Sequence, residues 1–183
     1  MDMGVDSGDV IDRLFERRVV MANGRLDGAL ADTIAARLIA LDAESSQPVE
    51  LVLDCPDAEL DPAFTLFDVC EALASPLTIV VAGRLTGAGI ILLTGRHRRL
   101  ARPHATLQIS EPRIEPADGT AEAIARLVEE HRRRVGLLIE RLSERTSRPS
   151  PLVADEMSRG IYLTSDDAVA YGLLDDVARR ASA

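Results

Sequence analysis

Two short runs rich in branched apolar residues, Val49-Glu50-Leu51-Val52-Leu53-Asp54 and Leu77-Thr78-Ile79-Val80-Val81, stand on either side of one stretch of helical character. Such runs read as buried strands, and two of them joined through a helix make a βαβ unit with parallel strands and a right-handed crossover. The fold class is therefore α/β, with a mainly parallel sheet. The intervening helix is predicted from Asp61 to Ala74, with Asp61 as N-cap, Pro62 in its first turn and Ser75-Pro76 as its stop. Cys55-Pro56-Asp57 reads as a loop before it.

The same reading extends along the chain. Leu26, Leu30, Ile34, Leu38 and Leu41 recur at helical spacing after a strand-like Arg18-Val19-Val20-Met21. Gly83-Arg84-Leu85-Thr86-Gly87-Ala88-Gly89 is expected to turn the chain into a short apolar helix, Ile90 to Leu93, and Thr106-Leu107-Gln108-Ile109 follows as a strand. From Gly119 to Arg145, the positions Ile124, Leu127, Val128, Val135, Leu138, Ile139 and Leu142 mark a helix of roughly seven turns, long enough to project from the body. Helical stretches at Ser150 to Met157 and Ser165 to Tyr171 flank Ile161-Tyr162-Leu163. Without a repeat or a low-complexity linker, residues 1–183 are read as one domain, with a tail over 1–8 and the long helix within 119–147.

Composition removes several chemistries. All 21 basic residues are arginine, so mechanisms that need a lysine amine are excluded. The formal charge of -9 disfavours a nucleic-acid partner. The most apolar segment, Leu77 to Leu93, is broken by Gly83, Arg84, Gly87 and Gly89 and falls short of the about 20 residues a membrane span needs. The acidic N-terminus lacks the basic start of a secretory signal, and Cys55 and Cys70 do not make a disulfide framework, so a reduced, cytoplasmic protein is expected. No metal or cofactor is expected.

Read together, Asp9-Val10-Ile11-Asp12-Arg13-Leu14-Phe15-Glu16-Arg17-Arg18-Val19-Val20, Leu138-Ile139-Glu140-Arg141-Leu142-Ser143-Glu144-Arg145-Thr146 and Tyr162-Leu163-Thr164-Ser165-Asp166-Asp167-Ala168-Val169-Ala170-Tyr171-Gly172-Leu173-Leu174-Asp175 resemble the opening, the handle helix and the closing elements of the Clp protease proteolytic subunit family. The closing motif and Thr86-Gly87-Ala88-Gly89 also resemble the wider crotonase superfamily; the long helix and the chain length decide for the Clp branch. The resemblance implies a ClpP/crotonase-like fold with a protruding handle helix. It also implies two stacked rings around a closed chamber, a serine peptidase activity and a ring-shaped AAA+ unfoldase as partner. Only eight residues precede Asp9, where the family carries longer axial loops, so unfoldase docking is expected to fall to surface pockets.

Carried over position by position, the family's catalytic residues are replaced. The nucleophile position falls on Gly87, the general-base position on Ser110 in Ile109-Ser110-Glu111-Pro112, and the orienting-acid position on Gly160 in Ser158-Arg159-Gly160-Ile161. Glycine offers no nucleophile, and serine is no base near neutral pH. The oxyanion loop reads Cys55-Pro56-Asp57-Ala58, so Asp57 brings a carboxylate to a site that works by presenting donors, while Ala88 keeps a backbone N–H for the other position. The leading expectation is a non-catalytic ring subunit, alone or mixed with an active paralogue. The alternatives are a peptidase that uses Thr86, the nearest hydroxyl, with a water held by Glu156 or Asp57, and a crotonase-like acyl-CoA binder.

Other features carry blander expectations. Thr86 is expected to satisfy a backbone group, Asp57 to bond its own backbone, and Asp155 and Glu156 to be solvated. Arg96, Arg98, Arg99 and Arg102 are expected to find counter-charges within the protein or across a subunit contact. His97 and His131 read as surface or packing residues, and His104 lies roughly 20 Å of strand from Ser110. The cysteines read as buried apolar groups. Arg159 matches an arginine that the family uses between rings, and the apolar stripe of the long helix is expected to pack on another subunit.

Overall fold

A computed structural model describes residues 7–114 and 118–178. The chain runs α1 (Ser7–Glu16), β1 (Val19–Leu26), α2 (Gly28–Glu44), β2 (Val49–Ala58), α3 (Leu60–Ala72), β3 (Leu77–Thr86), a 3-10 helix (Gly87–Leu93), β4 (Arg98–Ala101), β5 (Thr106–Ile109), α4 (Ala121–Thr146), α5 (Ser150–Arg159), β6 (Ile161–Thr164), α6 (Ser165–Tyr171) and β7 (Asp176–Val177). The sheet order is β1-β2-β3-β4-β7, all parallel. The α/β class and the parallel sheet hold as read.

The sheet forks at β3. Thr78 to Val81 pair with β4, whereas Arg84 to Thr86 pair with β5, and β5 then pairs antiparallel with β6. This fork positions the site, because it lays the end of β5 beside the end of β3 and brings β6 alongside. A register shift between Leu53 and Cys55 accompanies the divergence. At that shift the Asp54 carboxylate accepts from Arg84 N–H at 2.8 Å, and a Cβ on Gly83 would stand 2.3 Å from an Asp54 oxygen. A side chain at Gly83 would have to displace that carboxylate from Arg84 N–H.

The core follows the apolar periodicity. Ile34, Leu38 and Leu41 of α2 and Leu60, Ala63, Leu66, Phe67 and Cys70 of α3 are buried with Val20, Leu51, Leu53, Ile79 and Val81 of the strands. α2 begins at Gly28, not Leu26, because Asp27 caps it, its carboxylate accepting from Leu30 N–H at 2.9 Å. α3 starts after Glu59, which makes no side-chain cap, so the expected Asp61 cap is corrected; Asp61 meets Arg134 instead, at 3.2 Å.

Two loops also become strand. Cys55-Pro56-Asp57 belongs to β2: Cys55 pairs with Leu85, Asp57 with Arg25, and Pro56 is exposed where no ladder bond is asked of it. Gly83 to Thr86 belong to β3, so the turn begins only at Gly87. Residues 7 and 8, expected in a tail, open α1; residues 1–6 lie outside the described residues.

The long helix α4 is capped by Thr120, whose hydroxyl accepts from Ala123 N–H at 3.2 Å. Its buried residues, Val135, Leu138 and Leu142, all lie in its C-terminal half, while Ile124 and Leu127 in the first half are 41% and 40% exposed. Arg134 and Arg141 lay their guanidinium groups over the rings of Phe64 and Phe67, at 5.8 and 5.5 Å, and tie that half to α3. Among the described residues, no helix is long and apolar enough to cross a membrane.

The basic cluster hides a strand. Arg99 sits on the core face of β4, 1% exposed, and its guanidinium is held by the Asp175 carboxylate and donates to Leu93 C=O at 3.3 Å. The Asp175 carboxylate also accepts from Arg99 N–H, at 2.8 Å. Burial works to raise the Asp175 pKa, yet the side-chain and backbone bonds from Arg99 bring it net below the usual carboxylate value. Arg96 meets Glu71, as the expectation of internal counter-charges required.

Candidate functional site

Three separate pieces of chain meet at one small cavity of about 90 Å³. Pro56, Asp57 and Ala58 come from the end of β2, Thr86 and Gly87 from the end of β3, and Gln108, Ser110, Glu111, Pro112 and Arg113 from β5 and its exit. Gly160 adjoins this group from the end of α5. The forked sheet accounts for the meeting: Gln108 pairs with Thr86 on one side and Tyr162 on the other, and Ile109 pairs with Ile161, so Ser110 emerges between Gly87 and Gly160.

The three positions drawn from the resemblance as nucleophile, base and acid thus lie together. A Cβ placed on Gly87 would be 3.9 Å from Ser110 Oγ, and one on Gly160 would be 3.8 Å from Ser110 Cβ and 3.3 Å from Gln108 Nε2. Both glycines have positive φ, +55° at Gly87 and +68° at Gly160. At Gly160 this left-handed residue closes α5, its N–H donating to Glu156 and Met157 C=O at 3.1 Å.

The hydroxyl of Thr86 does not point at a reacting partner. It donates to Pro56 C=O at 2.8 Å, across the pair of strands. The Asp57 carboxylate lies 3.8 Å from the Arg25 guanidinium on the neighbouring strand, and Arg25 also reaches Glu59 at 3.0 Å. Asp57 was expected to bond its own backbone; register partner Arg25 takes that role because β2 continues through it. Ala88 is fully buried just after the turn.

Glu156 corrects another expectation. It is 8% exposed, not solvated: one carboxylate oxygen accepts from Arg148 at 2.5 Å and the other from the Tyr171 hydroxyl at 2.6 Å. Arg148 also stacks on the Tyr171 ring at 4.3 Å. Burial and the bond to Glu156 push the Tyr171 pKa up, and the bond to Glu156 raises that of Arg148. With both oxygens engaged, Glu156 is not placed to hold a water for Thr86. Asp155 is solvated as expected and pairs with Arg159 at 2.6 Å.

No histidine lines this cavity among the described residues. His104 is exposed ahead of β5. His131 Nε2 lies 3.1 Å from Pro112 C=O, joining α4 to the segment behind Ser110. His97 is packed against Glu71, 7% exposed; burial lowers its pKa, Glu71 opposes that, and Arg96 and Arg99 add to it. The thiols of Cys55 and Cys70 are buried, and burial pushes them up to about 11 and about 12. Gln108 and Arg113 were not singled out from the sequence. Gln108 carried a signal, a polar residue two before Ser110 and hence on its face of the strand. No group of described residues has the geometry of a metal site.

A mainly parallel sheet between helices, with a tight turn at the end of β3 and a 26-residue helix beyond, defines a ClpP-like α/β fold. The model of the Clp protease family matches residues 3–181, and the chain belongs to that family. It is a Clp-type protease subunit by descent.

Proposed function

We propose that this chain is a single-domain, non-catalytic subunit of a Clp-type proteolytic ring, which keeps the fold and the ring contacts of the family without a working triad. The observation that carries the reading is the convergence of Gly87, Ser110 and Gly160 within side-chain reach of one another, where two glycines offer no side chain and the Ser110 hydroxyl has neither a base nor an orienting acid among them to activate it. The Thr86 hydroxyl, already donating to Pro56, weighs against the peptidase alternative. Asp57 in the oxyanion loop weighs against both a peptidase and an acyl-CoA binder, because it sets negative charge where donors are needed.

Ring assembly is supported by two partly exposed apolar surfaces. On the sheet face opposite the fully buried one, Met21, Val52, Val80 and Leu100 lie side by side across β1 to β4; Val80 is buried and Val52 and Leu100 half-buried, while Met21 is 39% exposed. On α1, Val10 and Ile11 are 44% and 38% exposed. A helix stripe on one copy and a sheet row on the next make a head-to-tail contact, the kind that closes rings. The partners are further copies of this chain or an active paralogue, with an AAA+ unfoldase feeding the assembled chamber. The buried free thiols support a reducing, cytoplasmic setting.

The test has two arms. Purified chain and Thr86→Ala are incubated with fluorogenic short peptides, and both are expected to be silent; turnover lost in Thr86→Ala overturns the reading. Native mass spectrometry of the chain alone and co-expressed with an active paralogue is expected to show rings, and a strict monomer in both samples removes the subunit role.

A further inference from the structure

Asn23 is the only asparagine in the chain, and a glycine, Gly24, follows it. The pair lies near the end of β1, the strand at the edge of the sheet, where the ladder to β2 is interrupted. Asn23 pairs with Asp54 and the next pair is Arg25 with Asp57, so Gly24 stands opposite a gap that β2 crosses with Cys55 and Pro56. Pro56 has no N–H to offer there. Gly24 has a φ of +103°, and a Cβ on it would meet nothing within 4 Å. Asn23 is exposed, and its side-chain amide has no hydrogen bond among the described residues. Asp27-Gly28, four residues on, is a built-in contrast: the Asp27 carboxylate accepts from Leu30 N–H at 2.9 Å, and Gly28 opens α2.

We propose that Asn23 is a site of spontaneous covalent modification, at which the backbone nitrogen of Gly24 attacks the side-chain amide carbon of Asn23. The new N–C bond forms as the C–NH2 bond breaks, and ammonia leaves carrying the proton of the Gly24 N–H. Water then opens the five-membered succinimide to aspartate or isoaspartate, so the sequence consumes one water and releases one ammonia. Glycine favours the attack because it shields its nitrogen with no Cβ and lets the backbone rotate, and the interrupted ladder lowers the cost of the local opening. Either product sets a carboxylate at position 23, in register with Asp54, and like charges opposite one another loosen a strand pair. Isoaspartate also lengthens the main chain by one carbon just before Arg25 and Leu26, whose register partners Asp57 and Ala58 line the cavity at Gly87. A change at the sheet edge thereby reaches the candidate site.

The test holds the purified full chain at 37 °C and mildly alkaline pH, folded and, in parallel, unfolded in guanidinium chloride. Mass spectrometry follows the gain of one dalton, and peptide mapping locates it. The folded chain is expected to convert at residue 23 within about tenfold of the unfolded rate, because little structure has to open first. Isoaspartate is expected at residue 23 and not at residue 27. Asn23→Gln, which would have to close a six-membered ring, should show no gain over the same period. A folded rate more than about tenfold below the unfolded one overturns the proposal, since the strand would then protect the site. Isoaspartate appearing at residue 27 as fast as at residue 23 does too. The converted chain, separated from the unconverted by its extra negative charge, should melt about 2–4 °C lower; equal melting of the two fractions overturns the loosening of β1.

Discussion

Gly87 and Ser110 face each other across the mouth of the cavity, and a Cβ on Gly87 would meet nothing nearer than Ser110 Oγ at 3.9 Å. There is room for a side chain at this position, but φ is +55°, in the left-handed region that L side chains rarely adopt. The turn has settled into a conformation that belongs to glycine, and the same holds at Gly160.

Gly87→Ala should therefore destabilise the chain by about 1–2 kcal/mol despite the open space, through backbone strain alone. Gly28→Ala, at the start of α2 with nothing within 4 Å and no positive φ, should cost nothing. Urea unfolding of the two variants checks this, and a neutral Gly87→Ala would remove the strain account.

Thr86→Val should lower stability by about 1 kcal/mol, because it leaves Pro56 C=O without its donor, whereas Thr86→Ser should keep most of it. Peptide hydrolysis should be unchanged in both. Thermal melts and a fluorogenic assay run side by side separate a structural hydroxyl from a reacting one.

Asp175→Asn should be among the most damaging single changes on β7's approach. It strips the counter-charge from Arg99, whose side chain is 2% exposed, and breaking such a pair costs about 3 kcal/mol, the low end of the usual range because Asp175 is itself 40% exposed. Since its folded pKa is lowered, the stability it contributes is present above its unfolded value near 3.8 and is lost as pH falls through the folded value. Denaturant midpoints at pH 7 and pH 3 for wild type and Asp175→Asn should differ widely at the first and converge toward the second.

His97 adds a second pH window. Its folded pKa lies below 6.5, so on acidification the unfolded state takes up the proton first and stability falls as pH drops below 6.5. His97→Gln should flatten that part of the curve, measured as melting temperature between pH 7.5 and 5.5. An unchanged slope would show that other groups set it.

Much of the fold was legible because it is written locally. The runs at Val49 and Leu77 and the helical spacing from Leu26 to Leu41 name their elements without outside help, and Ser165 to Tyr171 begins where Thr164 and Asp167 form a capping box. Where the reading failed or stopped short, the deciding partner was distant. The basic cluster was expected to find counter-charges, but that Arg99 turns inward, and onto which acid, is decided by Asp175, 76 residues on. Glu156 reads as solvated until Arg148 and Tyr171 close over it. Pro56 reads as a loop until the fork at β3 frees its position from the ladder.

By itself, the sequence determined the element types, the βαβ order, the absence of lysine and the residue types at positions 57, 86, 87, 88, 110 and 160, because periodicity and identity are properties of neighbouring residues. Only the tertiary structure decided that Asp57, Thr86, Gly87 and Ser110 share one cavity with Gly160 beside it, and that Gly87 and Gly160 are left-handed. Those facts depend on where the sheet forks and which charges find each other across it, and no local stretch of chain carries that information.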